Sequence, residues 1–254
     1  MRVMPKLNIL PEAQRELWPL LDIIPPFFVL YGGTAVALRY GHRISVDFDF
    51  FTTRKDISPR KIGLDLPFIK NAQGLLVTNK SPSHTDFLIQ NGHGQVQVTL
   101  MQSDTVAPGS LFPPDRIVGS KVFIASTLDL LATKIISMLT RTSAKDYIDT
   151  AYLIKKSGIS LQKGFEGAYA LSKLTKDCTD IMYPKWLKNF LLTDMEHRLE
   201  NCPDKTLQPM AKYSAEILIR AAKKVDLEKV MKTKLVAISE IGLMNKVEFN
   251  ERGR

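Results

Sequence analysis

Cysteine is nearly absent from this chain: Cys178 and Cys202 are the only two in 254 residues. Two isolated thiols exclude a disulfide framework and a cysteine-based zinc site, and they point to a reducing, cytoplasmic setting. Histidine is scarce as well, and His42, His84, His93 and His197 lack the His-x-x-x-His spacing of a metal-binding helix. No apolar run is long enough to span a bilayer. The most hydrophobic stretch, Leu20 to Leu38, is broken by Asp22, Pro25, Pro26, Gly32 and Gly33. Met1 to Pro5 is not followed by an apolar segment with a small-residue cleavage site, so a secretory signal is not expected. Acidic residues are in deficit, 26 against 35 Lys and Arg, which leaves a formal charge of +9. That balance favours an anionic partner such as a nucleotide or RNA. Lysines gather late in the chain, including Lys173, Lys176, Lys185, Lys188, Lys205, Lys212, Lys223 and Lys224. With Tyr183, Trp186 and Tyr213 they form either a surface that tracks a phosphate backbone or an ordinary solvated helical face. Apolar and charged fractions of 44% and 24% are those of a globular protein with a sizeable core.

Against these scarcities, one segment is dense in chemistry. The apolar run Phe27 to Tyr31 ends in Gly32-Gly33-Thr34, a short helical stretch follows, and Asp47 and Asp49 then stand as an Asp-x-Asp among Phe48, Phe50 and Phe51. The pattern predicts strand, glycine turn, helix and second strand. Side chains alternate along a strand, so Asp47 and Asp49 share a face, about 6.6 Å apart along the chain, and Phe48 and Phe50 enter the core. Two carboxylates on one face repel unless a cation lies between them, and Mg2+ prefers carboxylate and phosphate oxygens. Glycines let the backbone approach a ligand closely. A helix beginning at Thr34 would aim free N–H groups at the same crevice, a site for phosphate. Metal-binding carboxylates beside a phosphate cradle are the requirements of phosphoryl or nucleotidyl transfer.

A second block lies at Thr127 to Asp149. Ser126 or Thr127 is a helix cap, and Leu128, Leu131, Ile135 and Leu139 make one apolar stripe with Lys134 at its edge. Arg141 and Lys145 follow, and Asp146 and Asp149 are neighbours on one helix face. A salt-bridged helix surface would look the same, so this block alone does not separate the two readings.

Taken together, Gly32-Gly33-Thr34, Leu38, Gly41-His42-Arg43, Ser45, Asp47 and Asp49, followed by Lys134, Arg141, Lys145, Asp146 and Asp149, resemble the AbiEii/AbiGii-type nucleotidyltransferases. These are toxin components of bacterial toxin–antitoxin and abortive infection systems. The resemblance implies an α+β fold: a polymerase β-like nucleotidyltransferase core with a mixed or antiparallel sheet over residues 1–125. A mostly helical domain over 126–254 would follow, its first helices completing the cleft. It implies catalytic roles for Asp47, Asp49, Lys134 and Asp146, with Asp47 and Asp49 holding one or two Mg2+ ions. Gly32, Gly33, Thr34, Arg43, Ser45, Arg141, Lys145 and Asp149 would contact a nucleoside triphosphate. The implied acceptor is RNA, tRNA in particular, and the implied partner is a cognate antitoxin.

One departure stands out. The superfamily carries a third carboxylate on a strand beside the Asp-x-Asp strand. The strand expected there, Gln95 to Met101, has Gln95, Gln97 and Thr99 on its polar face and no acid. Asp86 and Asp104 are the nearby substitutes in sequence, and no pattern places either beside Asp47. Two other functions therefore stay open: a catalytically weakened nucleotide-, RNA- or antitoxin-binding protein, and a small-molecule nucleotidyltransferase of the aminoglycoside-modifying sort. Elsewhere the patterns predict a helix over 11–24, helical structure over 58–69 interrupted at Pro67, and an antiparallel meander over 75–80, 86–90 and 95–102. A short strand at 121–125 leads into an all-helical remainder.

Overall fold

A computed structural model describes residues 1–81, 83–103, 111–141, 143–172, 188–192, 195, 202 and 204–233. Asp104, Lys173, Lys176, Cys178, Tyr183, Lys185, Trp186 and His197, singled out above, lie outside the described residues. The strands are β1 (Arg2–Val3), β2 (Val29–Tyr31), β3 (Asp47–Thr52), β4 (Gly74–Ser81), β5 (His84–Asn91), β6 (Gly94–Gln102), β7 (Asp115–Ile117) and β8 (Phe123–Ile124). They form one mixed sheet in the order β1-β7-β8-β2-β3-β6-β5-β4. The β4–β5–β6 meander is antiparallel, β3 runs parallel to β6, and β2 is antiparallel to β3.

The alternation read in the Asp-x-Asp segment is the alternation of β3. Phe48, Phe50 and Thr52 are fully buried, and Asp47, Asp49 and Phe51 are half-buried on the other face. Each buried phenylalanine contributes about 1.5–3 kcal/mol by leaving water, which holds the strand in register and fixes the face on which the acids emerge. Helix α2 (Gly32–Tyr40) leaves directly from β2 and buries Ala35, Val36, Ala37 and Leu38. It stops at Gly41, whose φ of +64° supplies the left-handed cap.

The predicted helix over 11–24 is two elements. Helix α1 (Glu12–Leu17) gives way to a 3-10 segment, Trp18–Ile23. Pro19 is the physical reason: it has no N–H for an α-helical bond and its ring crowds the preceding turn. Helix α3 (Pro59–Asp65) is capped by Ser58, whose hydroxyl accepts from the Lys61 N–H at 3.3 Å, and Pro67 opens the separate short helix α4 (Pro67–Lys70). Strands β1 and β7 were not expected. At two and three residues they are too short to show a period.

Helices α5 (Thr127–Thr140), α6 (Ala144–Ser157), α7 (Leu161–Ser172), α8 (Gln208–Ala222) and α9 (Leu227–Met231) follow. Both α5 and α6 pack on α2, while α7 packs on α5 and α8 on α6. Apolar residues from Val3 to Val230 belong to one contiguous cluster, so α5 and α6 are fixed to the sheet beside β3. Asp129, in the first turn of α5, accepts the N–H groups of Leu111 and Phe112 at 3.3 and 3.2 Å and so ties the β6–β7 connection to the same helix. No helix among the described residues is long and apolar enough to cross a membrane.

Helix α3 meets the sheet through Gly63, where an added Cβ would overlap the Phe87 ring and lie 3.2 Å from Leu100 Cδ1. Helix propensity favours alanine by about 1 kcal/mol. Overpacking costs about 1–3 kcal/mol, and Phe87 is wholly buried with no room to swing aside. An overlap this deep lies at the upper end of that range, so Gly63→Ala should lower unfolding free energy by about 2 kcal/mol in a urea titration. An unchanged or raised midpoint would contradict this packing.

Candidate active site

Asp47 and Asp49 emerge from β3 beside the start of α2. Gly32, at φ +70°, lies so close to Asp49 that a Cβ there would overlap Asp49 Oδ2. Gly33 is packed against Arg43 Nη2 and Ser45 Oγ, and a Cβ at Gly33 would reach 2.9 Å from that hydroxyl. Glycine is therefore required at both positions, first by backbone conformation and then by close approach. No side chain caps the N-terminus of α2, which leaves its first N–H groups available. The Thr34 hydroxyl donates to the Asp47 carbonyl, and Thr34 is fully buried. What Thr34 offers a ligand is its backbone N–H.

Of these groups Gly32 and Asp49 border a cavity of about 340 Å³, whereas Asp47, Gly33 and Thr34 are not among its lining residues. Gly32, Asp49, His84, Asp86, Gln97, Thr99, Lys134 and Arg141 are among its lining residues. Neither Asp47 nor Asp49 forms a hydrogen bond or ion pair through its carboxylate with any described residue. Burial pushes Asp49 up to about 6, and the charge of Asp47 adds to that rise. Asp47 is raised too, by burial first, with Lys145 pulling it back and Asp86 pushing it up. At an effective dielectric near 20, two carboxylates about 6.6 Å apart repel by about 2–3 kcal/mol. The pair is thus an uncompensated anionic site, which is what a cation requires. Among the described residues no three His, Cys, Asp or Glu side chains are placed to hold a metal by themselves. Two carboxylates would leave the remaining positions of a hard ion to phosphate oxygens and water, the usual manner of Mg2+.

The cations opposite are held by a buried network. Asp149 accepts both Arg43 Nε and Nη2 at 2.7 Å, His42 Nε2 lies 2.7 Å from it, and Lys134 Nζ is 2.8 Å away. Lys134 Nζ also donates to Asp146 Oδ1 at 2.8 Å, and Arg141 Nε donates to Asp146 Oδ2 at 2.8 Å. Burial works against every charge here, yet the partners win. Asp149 is held far below the ordinary carboxylate range by Lys134, His42 and Arg43, and Asp146 is lowered by Lys134 and Arg141. Lys134 is raised by Asp149 and Asp146 despite its burial. Removing one member of such a network costs about 3–5 kcal/mol because it strands a buried charge. Three cations, Arg43, Lys134 and Arg141, face two anions, so the network keeps a net positive charge beside Asp49. Lys134 and Arg141 both act on Asp49 without pairing with it.

Of the residues singled out in the sequence, Gly32, Asp49, Lys134 and Arg141 line the cavity, and Asp47 stands beside Asp49 on the same strand face. Arg43, Asp146 and Asp149 lie behind that wall in the network, Ser45 is buried under Gly33, and Lys145 is exposed and acts on Asp47. The sequence reading did not foresee His42 against Asp149 or His84 in the cavity wall. No spacing signals a contact across 107 residues. Thr99 is the register partner of both Asp49 on β3 and Asp86 on β5, so Asp86 reaches the cavity two strands away from Asp49.

Comparison with known proteins bears on the family and the fold. A family model described as nucleotidyl transferase AbiEii toxin, type IV toxin–antitoxin system, matches residues 22–234. An uncharacterised Aquifex aeolicus protein, aq_aa25, is 28% identical over 137 residues, 54% of this chain and 62% of its own length, so the match spans less than two thirds of that relative. Among solved structures, a provisionally assigned nucleotidyltransferase from Helicobacter pylori superposes with a TM-score of 0.52 at 21% identity, over 89% of this chain and 96% of its own. JHP933 from Helicobacter pylori gives 0.52 at 19% identity, over 96% and 100%. At these identities the two structures speak for the fold.

The raised Asp49 has a thermodynamic consequence in the metal-free protein. The unfolded chain loses this proton near pH 3.8 and the folded one near 6. Stability from this group therefore falls as pH rises from about 4 to 6 and stays reduced above. Asp49→Asn should raise unfolding free energy by up to about 3 kcal/mol at pH 7.5 in the presence of a chelator, with the gain gone below pH 4. Destabilisation at pH 7.5 would contradict the burial and repulsion that raise Asp49.

Proposed function

The chain belongs to the AbiEii nucleotidyltransferase toxin family, and from that premise we propose that it transfers a nucleoside monophosphate from a magnesium-bound nucleoside triphosphate to a hydroxyl of RNA, tRNA being the favoured acceptor. The observation that carries this reading is the pair Asp47 and Asp49, unpaired on one strand face, with Asp49 lining a glycine-edged cleft that Lys134 and Arg141 also line.

In this reading the uncapped start of α2 at Gly32, Gly33 and Thr34 binds the triphosphate through backbone N–H groups. Lys134 and Arg141 neutralise its phosphate oxygens, and Lys145 adds charge at the rim. Arg43, Asp149 and Asp146 hold Lys134 and Arg141 in place, so the positive wall is set before the nucleotide arrives. Asp47 and Asp49 would hold the divalent ion. When bound, that ion supplies charge neutralisation and Lewis-acid polarisation at the α-phosphorus. The acceptor oxygen bonds to the α-phosphorus as the bond to pyrophosphate breaks. The protein acts in the cytoplasm as the toxin of a pair and is restrained by an antitoxin protein.

A second reading, nucleotide binding without transfer, draws on Thr99 standing where the superfamily carries an acid. One experiment separates the two. The protein is incubated with each α-labelled triphosphate, Mg2+ and total RNA. Label should enter RNA with at least one triphosphate, and Asp49→Ala should reduce it by at least about 100-fold. Tight binding of triphosphate with no transfer would establish the second reading.

A further inference from the structure

The proposed reading leaves the acceptor side of the cleft unassigned, and the structure offers a built device there. Asp86 lies on β5 with His84 two residues before it, so both side chains share the face that carries Thr99 and Asp49. Thr99 Oγ1 donates to Asp86 Oδ1 at 2.8 Å, and His84 Nε2 lies 2.8 Å from the same oxygen. Asn79 Nδ2 lies 2.7 Å from His84 Nδ1. The same amide nitrogen lies 3.1 Å from Nε2 and so does not set the tautomer; a carboxylate only accepts, and the Nε2 beside Asp86 therefore carries the ring proton. Oδ1 thus accepts two donors, whereas Oδ2 accepts none from any described residue. The side chains of His84 and Asp86 are 28% and 16% exposed, open to the cavity but not to free rotation.

Resting on the function proposed above, we infer that Asp86 Oδ2 binds the attacking hydroxyl of the acceptor and takes its proton, with Asn79, His84 and Thr99 as positioning residues. Register places Asp86 two strands from Asp49, about 9–10 Å between backbones. Thr99 stands between the two acids, and with Oδ1 of Asp86 held by two donors, Oδ2 is the oxygen left to meet a hydroxyl in the cavity. In the step, the acceptor oxygen forms a bond to the α-phosphorus, the bond from that phosphorus to the bridging oxygen of pyrophosphate breaks, and the acceptor proton passes to Asp86 and then to solvent. The acid missing from β6 is replaced from β5, and Thr99 becomes the hydroxyl that orients it.

The test compares Asp86→Asn, Asp86→Glu and His84→Gln with the wild type. Two readouts are needed: label transfer to total RNA, and the thermal shift produced by magnesium with the triphosphate that supports transfer. Asp86→Asn should keep the nucleotide-induced shift, lose transfer about 100-fold, and regain part of it as pH rises from 7 to 9. His84→Gln should lose about 3- to 10-fold, in kcat rather than in KM for the nucleotide, and Asp86→Glu should recover measurable transfer. The inference is overturned if Asp86→Asn transfers label normally while Asp49→Ala does not. It is overturned equally if Asp86→Asn abolishes the nucleotide-induced shift, which would make Asp86 part of the metal or nucleotide site. Absence of transfer by the wild type with all four triphosphates would instead defeat the parent reading.

Discussion

Two like charges confined on one face of a strand are the constraint around which this molecule is arranged. Asp47 and Asp49 cannot separate, because Phe48 and Phe50 anchor the alternate positions in the core. Nor does any described side chain neutralise them by direct pairing, although Lys134 and Arg141 lie close enough to act on Asp49. A chain selected for stability alone would have paired or removed such acids. The strain is local, and the surrounding sheet and buried helices supply the stability that tolerates it.

The cationic wall answers the acidic one, but through intermediaries. Arg43, Lys134 and Arg141 are each committed to Asp146 or Asp149. Buried ion networks of this kind add little net stability over apolar packing, since desolvation offsets most of the attraction. What they add is geometry. Asp149 ties the α2–β3 connection, through His42 and Arg43, to α5 through Lys134 and to its own helix α6. Helices α5 and α6 are thereby locked to the α2–β3 connection beside the cavity. Lys134 is left buried, paired with Asp146 and Asp149, and in the wall of the cavity.

How far this was legible in the sequence depended on the range of the interaction. The Asp-x-Asp strand, the meander and the Ser58 and Ser126 caps are local patterns, and each is present in the structure, whereas Gly32 and Gly33 form the first turn of α2 and not a turn ahead of a helix that begins at Thr34. Pro19 was legible in principle, but the apolar spacing through Leu21 and Ile24 masked its effect. Strands β1 and β7 are too short for any period to register. The partners of Arg43 and the arrival of Asp86 at the cleft depend on tertiary register. Thr99 looked like a lost acid when β6 was read alone. Beside β5 it is the donor that orients Asp86. A residue judged by its own strand is judged without half of its neighbours.

The account stands or falls on a cation shared by the carboxylates and a triphosphate. Isothermal titration with a triphosphate whose α–β bridge resists cleavage, with and without Mg2+, measures this directly. Affinity should rise at least about 10-fold with Mg2+ in the wild type, and that metal dependence should vanish when Asp47 and Asp49 are both replaced by Asn. Binding of equal strength with or without the metal, or metal dependence that survives the double replacement, would contradict it.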